Sequence, residues 1–155
     1  NFIRQSLLNE PITVHGDGRQ TRSFTYVADT VQGTILAGER PEAVGEAFNI
    51  GSPAETCVLD LAELIKHLAR SSSPIVHVPY EDYYGQQHED TPRRCPDITK
   101  ASTLLGFAPQ VSLEEGLQRT IEWCRAHYQL GKRPGLVGTA SYLQDRLTES
   151  RWQLT

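Results

Sequence analysis

Apolar residues recur at helical spacing near the start of the chain, at Phe2, Ile3 and Leu7, which predicts a helix over 2–8. Asn9-Glu10-Pro11 ends it, because the residue before a proline avoids the α region. Ile12–His15 then reads as a short strand, turned by Gly16-Asp17-Gly18. Arg22–Val27 reads as a second strand, and too many residues intervene for a two-residue hairpin. Asp29 is placed to cap a helix carrying Val31, Ile35 and Leu36. After the loop "ERPEAVGE", the run "AFNIG" (47–51) is nearly all apolar and closes on glycine, the pattern of a buried parallel strand. Thr56 is placed to cap the next helix, whose Val58, Leu61, Leu64, Ile65 and Leu68 form one stripe. "SSSP" reads as a linker and "IVHVPY" (75–80) as a strand.

Residues 80–96, "YEDYYGQQHEDTPRRCP", show no apolar period and read as a long loop, of the kind that is usually functional or disordered. Asp97 caps a short helix with Ile98, Ala101, Leu104 and Leu105 aligned, stopped by Gly106. Ser112-Leu113-Glu114-Glu115 has the form of a capping box and opens a helix with Leu113, Leu117, Ile121 and Cys124 inward. Beyond Leu130 the pattern fades into a tail, with one amphipathic stretch over Tyr142–Trp152. The domain proper is therefore placed at 1–128 and the tail at 129–155. Helices and short strands alternate irregularly, which makes the class α/β.

Composition narrows the picture. A chain of 155 residues with 38% hydrophobic positions makes roughly one domain with a core. A net charge of -4 gives no broad basic field for nucleic acid. No run of about 18 apolar residues marks a membrane span and no signal peptide opens the chain. Cys57, Cys95 and Cys124 match neither a disulfide framework nor a zinc site, so inert thiols in a reducing compartment, the cytoplasm, are expected. The histidines show no metal spacing either. The chain contains no methionine, and "NFIRQSLL" reads as mid-helix, so a piece of a longer protein is expected.

Three places carry more chemistry than folding requires. On an extended strand Arg22 shares a face with Phe24 and Tyr26. Its guanidinium fork suits a phosphate, and a surface cation–π contact accounts for it equally well. Asp90, Arg93 and Arg94 lie close together, with Pro92 and Pro96 flanking the two arginines and stiffening the loop. They read either as a second phosphate and sugar contact or as a solvated charged loop. Thr13 to His15 ends beside a glycine turn, where the imidazole stacks on a base or merely covers a surface. No dinucleotide-type glycine fingerprint and no G-x-S-x-G elbow are present.

The run "NFIRQSLLNEPITVHGDGRQTRSFTYVADTVQG" followed by "AFNIGS", "PDITKASTLLGFAP" and "SLEEGLQRTIEW", with "GDGRQTRSFTYVAD" and "RRCPDITKA" within this span, resembles the carboxyl-terminal part of the extended short-chain dehydrogenase/reductase enzymes. These are the NAD-dependent nucleotide-sugar epimerases, dehydratases and decarboxylases, and UDP-glucuronate decarboxylases look most similar. The resemblance spans about residues 1–128. It implies a mixed small domain completing a Rossmann-type fold, with "AFNIG" joining the edge of the cofactor domain's sheet and Asp29 a helix cap. It implies that Arg22 binds the diphosphate, and that Thr13, Val14 and His15 lie against the base. It further implies that Arg94 reaches the phosphates and ribose, and that Asp90 contacts the ribose. His15 departs from the Tyr or Phe often found at its position.

The same resemblance puts the NAD site and the catalytic Tyr/Lys pair upstream, and this chain is read as holding no tyrosine with a lysine four residues on. The resemblance implies a nucleotide-sugar substrate, a UDP-sugar, and a homodimeric parent. The chain alone is expected to be inactive. Two other classes fit the residues: a stand-alone nucleotide-binding module, and a protein-interaction module built on the long loop and the Trp152 tail.

Overall fold

In the computed structural model, residues 1–79 and 91–127 are described. Two small sheets carry the strands, and helices cover them. Strand β1 (Ile12–His15) pairs in parallel with β2, the strand Ile75–Val78, in the register Ile12↔Ile75 to His15↔Val78. The alternation on β1 is what a strand with one buried face demands: Ile12 and Val14 are fully buried and the residues between them are not. Helix α1 (Phe2–Leu7) and the later helix Val58–Ala69, here α3, pack against each other and against β1. Ala62 of α3 meets Ile12 and Val14, with Phe2, Val58 and Ile75 around them. The last helix, Leu113–His127 (α5), lies against α1 and α3 and buries Gly116 and Ile121.

The second sheet is built from three very short strands: β3 (Thr21–Ser23), β4 (Glu55–Cys57) and β5 (Arg93–Arg94). Their order across the sheet is β4-β3-β5, with β3 antiparallel to β4 and parallel to β5. A second core joins α2 (Val27–Glu39), a 3-10 turn at Pro41–Ala43 and α4 (Thr99–Leu105). It centres on Ala101, Leu105 and Phe107, with Leu36, Phe48 and Ile50 packed on them.

Helices α1 and α3, strand β1 and both carboxyl-terminal helices stand where the periodicity put them. Gly106 closes α4 in the left-handed conformation, φ +70°. The Ser112 hydroxyl accepts the Glu115 N–H at 3.2 Å, one half of the capping box, while the Glu115 carboxylate pairs with Arg119 at 2.6 Å. Asp97 accepts the Thr99 N–H at 2.9 Å, so it caps α4 although the helical turn begins one residue later, after Ile98.

Several expectations are corrected. The strand expected over Arg22–Val27 starts at Thr21 and ends at Ser23. Its neighbour runs into Pro53, which has no N–H to donate. Side chains take over there: the Ser23 hydroxyl donates to the Ser52 carbonyl, and Thr25 Oγ1 accepts the Ser52 N–H at 2.8 Å. Asp29 is not the cap of α2, which begins at Val27 after Tyr26. It is buried and its two oxygens accept the N–H groups of Gln110 and Val111, each at 3.0 Å. Thr56 does not cap α3; it lies inside β4, and Cys57 precedes the helix. The 47–51 run forms no strand here, because no other described segment of the chain offers it a ladder. The second half of the long loop, in contrast, contributes β5. The tail, including the stretch over Tyr142–Trp152, lies outside the described residues.

Candidate functional site

The three-stranded sheet sorts its charges by face. Residues directly paired across a ladder point the same way, and neighbours along a strand alternate. Thr21, Ser23, Glu55, Cys57 and Arg93 therefore share one face. There Glu55 accepts Arg93 Nε at 2.9 and 3.0 Å and Thr21 Oγ1 at 2.8 Å. Hydrogen bonds first from Arg93 and then from Thr21 hold the Glu55 carboxyl below its ordinary range, and the same bond raises the Arg93 pKa.

The other face carries a single row across all three strands: Thr56 opposite Arg22, and Arg22 beside Arg94. With strands about 4.8 Å apart, the two arginine Cα atoms are near neighbours and the row spans about 10 Å. None of the sheet residues on this face is acidic. Arg22 is anchored through one terminal nitrogen, which donates to the carbonyls of Thr21 at 2.7 Å and Thr91 at 2.8 Å. That anchor fixes the direction of the fork at a small entropic cost, and the fork geometry suits an oxyanion. Two like charges on adjacent strands repel, and a bound anion relieves that repulsion. The expected grouping of Arg22 with Tyr26 gives way to a different pair: Arg119 lies over the Tyr26 ring at 5.5 Å. Tyr26 belongs to the turn into α2, beyond the end of the strand.

The residues of β1 form a separate feature. Val14 turns its side chain wholly into the core and fits against Gly18, where an added Cβ would lie 2.8 Å from Val14 Cγ1. The Thr13 side chain and N–H are bonded to Gln5. The His15 carbonyl accepts Gln20 Nε2 at 3.1 Å, and the Gly16 carbonyl lies 2.9 Å from His77 Nδ1. Gly16 and Gly18 adopt positive φ (68° and 74°), which lets the chain leave β1 sharply. The turn is pinned to the start of α3 by Leu59 N–H and Cys57 Sγ, both donating to the Gly18 carbonyl. The ends of β1 and β3 are thereby tied to one helix terminus. Asp90 lies outside the described residues.

Sequence reasoning thus picked out both arginines of the row and missed Thr56, which it read as a cap. The signal for Thr56 is the register, and register cannot be read before the strands are paired. A separate apolar groove of about 650 Å³ lies between α1, α3, α5 and residues 24–27, lined by Phe2, Phe24, Tyr26, Leu61 and Leu117. Among the described residues, none of Thr13, Val14, His15, Arg22 and Arg94 lines it.

A dinucleotide cofactor needs glycines that open a helix toward its pyrophosphate. Gly16 and Gly18 open onto a strand, so the described residues do not fit that group. Among the described residues no cluster of His, Cys, Asp and Glu suits a metal, and no helix is long and apolar enough to cross a membrane. Tyr128 and Lys132 do stand four residues apart, which corrects the reading that no such pair exists. They lie outside the described residues, after α5, and the spacing alone assigns them no role.

Comparison with known proteins adds to the geometry. A family model described as GDP-mannose 4,6 dehydratase matches residues 1–120. The chain is 47% identical over 124 residues to a UDP-N-acetyl-alpha-D-glucosaminuronate decarboxylase of Bacillus cytotoxicus, covering 80% of this chain and 38% of that protein. It is 44% identical over 123 residues to UDP-glucuronic acid decarboxylase 1 of Danio rerio, covering 79% and 28%. Among solved structures it is similar to a UDP-glucuronic acid 4-epimerase from Bacillus cereus in complex with UDP-glucuronic acid and NAD, with a TM-score of 0.72 and 33% identity over 82% of this chain and 39% of that one. The chain therefore spans well under half the length of the relatives it matches.

Proposed function

The chain belongs to the nucleotide-sugar epimerase/dehydratase family of extended short-chain dehydrogenases/reductases, and from that premise we propose that it is the substrate-binding part of a UDP-sugar enzyme. The observation that carries this reading is the row Thr56–Arg22–Arg94. Two guanidinium forks and a hydroxyl, set on adjacent strands of one face, have the chemistry of a diphosphate cradle. In this reading Arg22 holds the diphosphate and Arg94 reaches from β5 to the phosphates and ribose. The end of β1, at Thr13, Val14 and His15, receives the base, with Val14 serving as the packed support of its neighbours. Asp90 is assigned to the ribose by the family pattern alone.

The relatives named as decarboxylases of UDP-linked uronic acids favour that class of substrate. The chain's own work is to bind and orient: it fixes the diphosphate, and so fixes where the sugar ring stands. NAD is held mainly by a preceding domain of the parent protein, and no hydride step is assigned to residues of this chain. The parent is a cytoplasmic homodimer in this reading, and the chain alone turns over no substrate.

Calorimetric titration at low salt with UDP, TDP and GDP tests the proposal. The expected result is saturable binding with UDP preferred, weakened by about 1.5–3 kcal/mol in Arg22→Ala, the scale of a charge-assisted hydrogen bond. Equal UDP affinity in the wild type and Arg22→Ala overturns the assignment of the row.

A further inference from the structure

Strand β5 is the shortest strand of the charged sheet. It has two residues, Arg93 and Arg94, and among the described residues no strand lies on its outer side. So short a ladder has few backbone bonds to fix its register. Thr21 N–H donates to the Pro92 carbonyl at 2.9 Å, and Pro92 has no N–H to return. The pairing also sets Arg94 beside Arg22, and like charges on adjacent strands repel. On that face Arg22 bonds the Thr91 carbonyl at 2.8 Å, which fixes the approach to β5 two residues before it begins. The Arg94 side chain itself is bonded to none of the described residues.

The opposite face supplies the hold on the strand. Glu55 of β4 reaches across β3 to Arg93, whose Nε donates to the two carboxylate oxygens at 2.9 and 3.0 Å and whose Nη2 donates to Oε1. Thr21, on the strand between them, donates to the same carboxylate at 2.8 Å. Exposed ion pairs contribute little to stability as a rule, but an arginine held by a carboxylate through two of its nitrogens is fixed in position. This pair spans all three strands and ties the edge strand to the far one. Beyond it Cys95 Sγ, a weak donor, reaches the Pro53 carbonyl at 3.3 Å. Glu55 thus grips Arg93, and the next residue of β5, turned to the other face by the alternation of the strand, is Arg94.

We propose that Glu55 is a positioning residue for the anion site: by gripping Arg93 it holds β5 in the register that sets Arg94 beside Arg22, and it acts from the face opposite to the ligand. This rests on the reading of the Thr56–Arg22–Arg94 row as a diphosphate cradle. The role has a sign of its own. Glu55 is a negative charge on the same sheet as a site for an anion, so by charge alone its removal tightens anion binding. As a positioning residue its removal weakens anion binding, because Arg94 is no longer held in the row.

The test titrates the full chain with inorganic pyrophosphate by calorimetry at low salt, for the wild type, Glu55→Ala, Arg94→Ala and the double variant. Glu55→Ala is expected to weaken binding by roughly three- to tenfold, the scale of one hydrogen bond. In the Arg94→Ala background the same substitution is expected to weaken binding less, or to tighten it, because the residue it positions is gone. A loss as large in that background as in the wild type marks a merely structural role and overturns the proposal. Unchanged or tighter binding in Glu55→Ala alone, the outcome that charge dictates, overturns it as well. If Glu55→Ala does not fold, Glu55→Gln, which keeps the shape and loses the charge, is read in the same two backgrounds by the same criteria. Arg22→Ala separates the two levels: weaker binding there with none in Glu55→Ala removes the role of Glu55 and leaves the arginine row standing. A wild-type chain that binds no pyrophosphate overturns the row itself, and the role of Glu55 with it.

Discussion

Asp29 illustrates how a single residue acts outside its local pattern. Its place near the start of α2 marks it as a helix cap, and a carboxylate there is favoured by the helix dipole. Yet its oxygens reach across to Gln110 and Val111, more than 80 residues on in sequence and only 3.0 Å away in space. Asp29→Ala leaves those two N–H groups without their acceptor in a buried setting. The expected loss is about 1.5–3 kcal/mol of stability, read as a lower midpoint in urea with the slope unchanged. Arg22 lies at the same scale: its anchor to two carbonyls explains why lysine is a poor replacement. Arg22→Lys keeps the charge but loses the fork, and UDP affinity is expected to fall nearly as far as in Arg22→Ala.

Helix α2 and the segment 47–51 meet at Gly33. A Cβ there would lie 2.5 Å from Ile50 Cγ2 and 3.0 Å from the Phe107 ring, so the helix approaches only because the side chain is absent. Gly33→Ala is expected to destabilise by about 1–3 kcal/mol through overpacking, despite the better helix propensity of alanine; thermal or urea unfolding measures it. The β4-β3-β5 sheet has a pH dependence of a stated sign. The Glu55 carboxyl titrates below its ordinary 4.5 because Arg93 and Thr21 bond its charged form. Its contribution is therefore complete above the ordinary value and is lost as the pH falls through the lower, folded-state value. Melting temperatures of wild type and Glu55→Gln are expected to differ at neutral pH and to converge in acid. Since Glu55 is exposed, the difference is small.

At the scale of the whole molecule, one helix face carries an apolar stripe. Val27, Val31 and Ile35 fall one turn apart along α2 and are 65%, 51% and 46% exposed. A surface of this kind drives association when nothing covers it. Light scattering on the isolated chain is expected to show association that rises with concentration and is relieved by Val31→Lys with Ile35→Lys. A monodisperse wild-type chain at high concentration would contradict this.

The sequence by itself determined the elements whose signal is local. Helices α1, α3, α4 and α5 follow from apolar residues repeating at helical spacing and from Ser112, Asp97 and Gly106 at their ends. Strand β1 follows from the alternation of Ile12 and Val14 with polar neighbours, and the two arginines stood out because charges were spent near turns and prolines. Only the tertiary structure decided what those residues do together. Strands of two or three residues, such as Arg93–Arg94 and Glu55–Cys57, have too little pattern to be seen, because a ladder is a property of the pair and not of either segment. For the same reason 47–51 has a strand's composition and no strand's hydrogen bonds. Thr56 became part of the site, and Arg22 and Arg94 became neighbours, when β3 took its register between β4 and β5. That register is set by contacts among segments about 32 to 72 residues apart, which no local periodicity encodes.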